Sequence, residues 1–273
     1  MLLGIDIGGT TINLGLTKDN RIVKKLCAPS FAPDADLEET LIHLCNQIKL
    51  IITPEVTRIG VGVPTLVDPV KGIVYDASNI PSWTVVPLKE RLEHEFDRTT
   101  SVDNDANCFV LGAAAKIEKP SSVVVGVTLG TGTGIGICID GKVFGGTNCG
   151  AGELASMPYL DGIYEDYCSK KFFTAKGLNP KGIGDEAFAG DPEALKIFDE
   201  FGTHLGHLLS MLLLAYDPGC IVFGGGIAHS FPLFEKAVWK SLRESCLYPR
   251  FLDNLQITAM PDADIPILGA SLL

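Results

Sequence analysis

Carboxylates and glycine turns recur at several points of this chain where they could handle a phosphorylated ligand. The N-terminus reads MLLGIDIGGTTINLGL, an apolar strand that carries Asp6 and then turns through Gly8-Gly9 into Thr10-Thr11. Glycines let backbone amides approach phosphate oxygens, and the two hydroxyls add donors. A carboxylate beside such a loop suits a metal ion. The competing reading is a β-hairpin whose acid faces solvent. A second glycine-threonine set occupies Gly130-Thr131-Gly132-Thr133-Gly134, and a third, Gly224-Gly225-Gly226, follows the apolar run Ile221-Val222-Phe223. Each alone is an ordinary tight turn. Between them stands DNDAN (103–107), in which two acids alternate with asparagines, more than the capping of one helix requires.

These groups need elements to hold them. The chain has 273 residues, 46% hydrophobic and 20% charged, enough for one large domain or two ordinary ones. Its 22 basic and 33 acidic residues leave a net charge of −11, which disfavours nucleic acid and anionic membranes as partners. A polyphosphate would have to be bound by backbone amides, helix N-termini and a divalent cation. The eight cysteines form no C-x-C or C-x-x-C pair, so they read as reduced, buried thiols of a cytoplasmic protein. No targeting segment is visible. The uncharged stretch 121–139 is long enough for a membrane span, but its glycines and β-branched residues suit two buried strands joined by a turn.

That stretch also aligns with the N-terminus. LGIDIGGTTINLGLTKDNRIV lies over VGVTLGTGTGIGICIDGKVF at a constant offset, with Gly4 on Gly126, Asp6 on Thr128 and Gly8 on Gly130. Each copy reads as strand, Gly/Thr turn, strand, tight turn and third strand, and helix-strand alternation follows. The pattern predicts two related α/β domains facing each other across a cleft, joined by ordered helices. Helical spacing covers 35–50, 87–96 with Pro87 first, the small-residue run after DNDAN, 192–216, and the closing ILGASLL. A short strand covers 57–64.

The motifs DIGGTT, DNDAN, LGTGTGIG, GAGE and VFGGG, in this order, resemble those of the ROK (repressor, open reading frame, kinase) sugar kinases, and the likeness runs from Leu3 to the terminal LGASLL. The stretch GIVYDASNIPSWTVVPL also resembles the family's segment before its catalytic turn. The resemblance implies two duplicated actin-like, ribonuclease H-like α/β domains. One spans 1–108, with the helix 265–273 packing back on it, and the other spans 109–264. It implies an ATP-dependent transfer of the γ-phosphoryl group to a hexose or hexose derivative, with Asp105 as general base. Asn79, Asn104, Glu153 and Glu165 would join Asp105 in holding the sugar. Gly8, Gly9, Thr10, Thr11, Gly130, Thr131, Gly132 and Thr133 would hold the phosphates, and Gly224, Gly225 and Gly226 the ribose and adenine. Asp6 would serve Mg²⁺ through water, since Mg²⁺ dehydrates reluctantly. Asp103 is expected to cap the helix that follows. For Asn79, a plain turn residue before Pro81 is the competing reading.

Two departures from the family matter. Thr11 stands where relatives often carry lysine, which reduces local positive charge. Ser156 replaces a histidine three residues after Glu153, the following loop is short, and no cysteine lies between Glu153 and Glu165, so the usual structural zinc is not expected. His204 and His207, at helical spacing, read as packing residues. The second reading is a sugar-binding sensor without turnover. The family's regulators carry a DNA-binding segment before the first motif, which is not expected here. A filament-forming ATPase of the superfold would leave the acceptor cluster unexplained. A homodimer is expected at family level, and ATP or polyphosphate remain open as donors.

Overall fold

The apolar alternation at the N-terminus becomes the centre of a sheet. In the computed structural model, which describes residues 1–77 and 79–273, β1 (Leu2–Ile7), β2 (Thr11–Lys18) and β3 (Arg21–Pro29) form an antiparallel meander. After α1 (Leu37–Lys49), strand β4 (Arg58–Val63) pairs parallel with β1. Three short strands, β5 (Leu66–Asp68), β6 (Ile73–Tyr75) and β7 (Val85–Val86), then make a small separate sheet. Helix α2 (Leu88–Phe96) and strand β8 (Thr99–Asn104) follow, and α3 (Asp105–Lys116) begins without a loop. The main sheet runs β3-β2-β1-β4-β8.

The local signals explain these elements. Asp36 caps α1 and Glu39 reaches back to the Asp36 N–H, a reciprocal capping box. Pro87 sits at the N-cap of α2, one position earlier than its sequence suggests. Leu3, Ile5, Ile7, Ile12 and Leu14 are fully buried in the core of this unit, together with Trp83, whose Nε1–H donates to Thr40 Oγ1 at 2.8 Å.

The second copy repeats the order of strands. Strand β9 (Val123–Leu129) pairs antiparallel with β10 (Thr133–Ile139), and β11 (Lys142–Val143) is the short third strand. Strand β14 (Cys220–Gly224) pairs parallel with β9, and β15 (Gln256–Ala259) parallel with β14, so four strands run β10-β9-β14-β15 as β2-β1-β4-β8 do. Between them lie β12 (Pro158–Tyr159), β13 (Gly162–Ile163), α4 (Tyr164–Cys168), α5 (Lys170–Ala175), α6 (Pro180–Phe188) and the long α7 (Pro192–Tyr216). Helix α8 (Phe231–Ser245) follows β14, and α9 (Asp264–Leu272) ends the chain. The repeat is not quite constant. The first hairpin pairs Ile7 with Ile12 around its turn, the second Leu129 with Thr133, so the second turn is one residue shorter.

The chain divides into two compact units, one of 1–118, 141–151 and 263–273, the other of 119–140 and 152–262. It passes between them in turns and coil at 118–119, 140–141, 151–152 and 262–263, not in the helices expected. Within the first unit α9 lies directly on the sheet. A Cβ on Gly4 would fall 2.0 Å from the Ile267 carbonyl oxygen, and one on Gly60, its neighbour across β1 and β4, 1.7 Å from that of Ala270. Only glycine admits this approach. Of the eight cysteines, none forms a disulfide; Cys45, Cys108, Cys138, Cys168 and Cys220 are buried. Among the described residues no helix is long and apolar enough to cross a membrane.

Candidate active site

In the first unit the sheet delivers Asp6 beside a glycine turn. Asp6 stands opposite Asn13 across β1 and β2. Burial pushes its carboxyl up to about 6, and a hydrogen bond from Asn13 partly offsets this. The turn is closed from within: Gly8 N–H donates to the Thr11 carbonyl at 2.8 Å, while Ser30 Oγ donates to the Gly8 carbonyl at 2.8 Å. Asn79 lies against this turn, its Cγ 3.7 Å from where a Gly9 Cβ would be. Ser78, within the stretch singled out above, lies outside the described residues.

Strand β8 ends in the DNDAN segment, and its register decides each role. Asp103 is still a strand residue, paired with Gly62, and it is buried. Its Oδ1 accepts from Asn104 N–H at 2.7 Å and from Asn107 Nδ2 at 2.8 Å, while burial, the larger effect, raises its pKa. The expected cap at Asp103 is therefore corrected: Asn104 caps α3, its Oδ1 accepting from Ala106 N–H at 2.8 Å and Asn107 N–H at 3.4 Å. Asn104 Nδ2 donates to the Thr65 carbonyl at 3.1 Å, which leaves its second amide hydrogen as the group this side chain can offer a ligand. Asp105 is the first helical residue, with Ala106 N–H 2.8 Å from its Oδ1.

In the second unit the Gly130–Gly132 turn is also self-closed, Gly130 N–H donating to the Gly132 carbonyl at 3.0 Å. Thr133 turns inward: its hydroxyl donates to the Cys168 carbonyl at 2.8 Å and its N–H to Glu165 Oε2 at 3.1 Å. Glu165 is thus tied to the glycine turn on one oxygen and to Lys171 Nζ at 2.7 Å on the other. Gly225, at φ +80°, packs on the same turn; a Cβ there would lie 2.5 Å from the Leu129 carbonyl oxygen, so the second and third glycine sets meet. Beside them opens a cavity of about 630 Å³, floored by Gly130, Thr131 and Gly226 and walled by Lys170 and α6. A Cβ on Gly130 or Gly226 would meet nothing within 4 Å, so backbone faces open space there. The room and the bare backbone fit a nucleotide.

Glu153 is exposed at the head of a 3-10 turn, Glu153–Ser156. The β12–β13 hairpin then leads into α4, where Glu165 sits. Tyr159 stacks on Tyr164, with ring centroids 4.2 Å apart, and its hydroxyl lies 3.0 Å from His204 Nδ1. Packing orders the segment that separates the two glutamates. Among the described residues no group of three His, Cys, Asp or Glu side chains could hold a metal ion. Asp6 as a single protein carboxylate fits Mg²⁺, which keeps waters and takes its other oxygens from phosphates.

The predicted residues therefore fall into one set in each unit. Asn13, Ser30, Thr65 and Lys171 were not foreseen, because each meets its partner across the hairpin, from a connecting segment or from a neighbouring helix. The wall formed by α6 did carry a signal, Asn179 before Pro180, which is the N-cap and first-turn pair observed.

The motifs point to a family, and the whole chain agrees: residues 2–273 match the ROK family model. The chain belongs to the ROK family. A glucokinase of Thermotoga maritima is 28% identical over 99% of this chain and 96% of its own length. An N-acetyl-D-glucosamine kinase of Vibrio cholerae is 30% identical over 86% of this chain and 87% of its own. The ROK family glucokinase of Streptomyces griseus, solved with glucose and AMPPNP, is 26% identical and superposes with a TM-score of 0.84, covering 99% of this chain and 97% of that one. The ROK fold, a pair of actin-like α/β domains, accounts for the repeated strand order.

Proposed function

We propose that this ROK protein is an ATP-dependent sugar kinase that phosphorylates a hydroxyl of a hexose or an N-acetylhexosamine, with Asp105 as general base. The observation that carries the reading is the DNDAN junction. Strand β8 runs straight into α3, Asn104 takes the cap, and Asp105 is left at the first helical position with its Oδ1 oriented by the Ala106 N–H. A loose phosphoryl-transfer transition state needs positioning and charge neutralisation more than strong basicity. An ordinary carboxylate held in this way suffices to accept the hydroxyl proton.

The other roles follow from what each group has left to offer. Asn104 donates its remaining amide hydrogen to a sugar hydroxyl, and Glu153 accepts from another. Glu165 works from a fixed position, because its bonds to Thr133 and Lys171 tie it to the glycine turn. The hydroxyls of Thr10, Thr11 and Thr131 receive the phosphates, together with turn amides other than those of Gly8 and Gly130, which close the turns themselves. The cavity beside Gly226 takes the nucleoside. Thr133, with both donors turned inward, positions the turn rather than binding phosphate. Mg²⁺, when bound near Asp6, supplies charge neutralisation on the phosphates. No zinc is required in this reading, since the hairpin 157–163 is held by Tyr159, Tyr164 and His204. The expected homodimer belongs to the same proposal.

The test is ADP release with MgATP across glucose, mannose, allose, fructose and the N-acetylhexosamines. Sugar-dependent release with at least one of them is expected. Binding of a sugar without any turnover would replace this reading by that of a sensor.

A further inference from the structure

The acidic chain raises a question about its donor site. Net charge is −11, and the segment of the first glycine turn, GGTTINLGL, carries Thr10 and Thr11 but no lysine or arginine. A triphosphate still needs positive charge close to its outer phosphates. We infer that Lys170 supplies it, binding the β- and γ-phosphates of the nucleotide from the start of α5; this rests on the kinase reading above.

Four observations meet at this residue. Lys170 lines the 630 Å³ cavity next to Gly130 and Thr131, the glycine turn that marks its phosphate end. Its position is fixed, because its own N–H donates to the Gly130 carbonyl at 2.9 Å. The turn is pinned again just before it, where Thr133 Oγ1 donates to the Cys168 carbonyl at 2.8 Å. Last, its ammonium is unclaimed among the described residues, unlike its neighbours. Lys171 Nζ lies 2.7 Å from Glu165 Oε1, and Lys176 Nζ lies 2.9 Å from Glu200 Oε1. Lys181 also lines the cavity, but it stands on the α6 wall with Asp185 four residues on, so that wall gains no net charge from the pair. Lys170 is the cation at the turn, and a flexible exposed ammonium suits a ligand that arrives with its own charge.

The experiment is calorimetric titration of MgATP, MgADP and AMP into the unaltered protein and into Lys170→Met, Lys170→Arg and Lys176→Met. Lys176→Met removes the same charge outside the cavity, and thermal unfolding verifies that each variant is folded. Losing one charge-assisted contact at an exposed site is worth about a tenfold change. Lys170→Met should weaken MgATP and MgADP about tenfold and leave AMP within about twofold. Lys170→Arg should restore most of the loss, and Lys176→Met should change nothing. Equal loss for AMP, or MgATP binding by Lys170→Met equal to that of the unaltered protein, would overturn the assignment. Failure of the unaltered protein to bind MgATP would overturn the kinase reading itself, and the role of Lys170 with it.

Discussion

Replacing Asp6 by asparagine should make the protein more stable and inactive at once. Asp6 lies in the middle of the sheet opposite Asn13, and burial lifts its pKa from 3.8 to about 6. Its folded pKa is therefore above its unfolded one, and the folded chain holds the proton more tightly. Below about pH 4 both states are protonated and the group costs nothing. Between about 4 and 6 the unfolded chain releases its proton first, and the cost grows. Above about 6 it is complete. A tenfold difference in proton affinity is worth about 1.4 kcal/mol, so the change from 3.8 to about 6 amounts to about 3 kcal/mol of lost stability at neutral pH. Asparagine keeps an oxygen that can accept from Asn13 and removes the charge. Chemical denaturation in EDTA, at pH 4 and pH 7.5, compares the two proteins without metal. Asp6→Asn should unfold at higher denaturant at pH 7.5, by about 2 to 3 kcal/mol, and the advantage should shrink at pH 4. The same variant should lose Mg²⁺-dependent turnover. A variant that is less stable at pH 7.5, or an advantage that does not change with pH, would refute the reasoning.

Two further predictions concern packing. Gly60→Ala puts a Cβ 1.7 Å from the Ala270 carbonyl oxygen, a backbone atom that moves only if α9 does; a loss of about 3 kcal/mol in denaturant unfolding is expected. Tyr159→Phe removes the hydroxyl 3.0 Å from His204 Nδ1 and should cost about 1 kcal/mol at pH 8. Burial lowers the pKa of His204, with His207 and Lys176 acting the same way and Glu200 opposing. Its neutral form is thus favoured by folding. Stability should fall as pH drops below about 6.5, the unfolded value, and the deficit of Tyr159→Phe should persist there, because the tyrosine hydroxyl can accept from a protonated Nδ1 as readily as it donates to a neutral one. Urea midpoints of both proteins from pH 5 to 8 test this.

The parts legible in the sequence were those written in local pattern. Each glycine-threonine turn follows an apolar strand, the tight turns follow Asp19 and Asp140, and helix α7 begins at Pro192 and ends at Tyr216 as its spacing predicts. What stayed hidden depends on register and on partners distant in sequence. Nothing near Asp103 says that β8 extends through Asn104, yet this moves the cap by one residue. Nothing near Thr133 says that its hydroxyl faces Cys168, thirty-five residues on. The pairing of Asp6 with Asn13 follows from the hairpin, but its effect on the carboxyl follows from burial, which the alternation alone does not measure. The one-residue difference between the two turns is invisible until both ladders are paired.

The central claim is that Asp105 accepts the proton of the sugar hydroxyl, and Asp105→Asn tests it most directly. Asparagine has nearly the same shape and still accepts the Ala106 N–H, so the helix start should survive. The measurement is kcat, with KM for MgATP and for the best sugar, in both proteins. We expect kcat to fall by about 10²-fold or more with both KM values changed by less than a few fold. Retention of kcat in a folded Asp105→Asn protein would contradict the account.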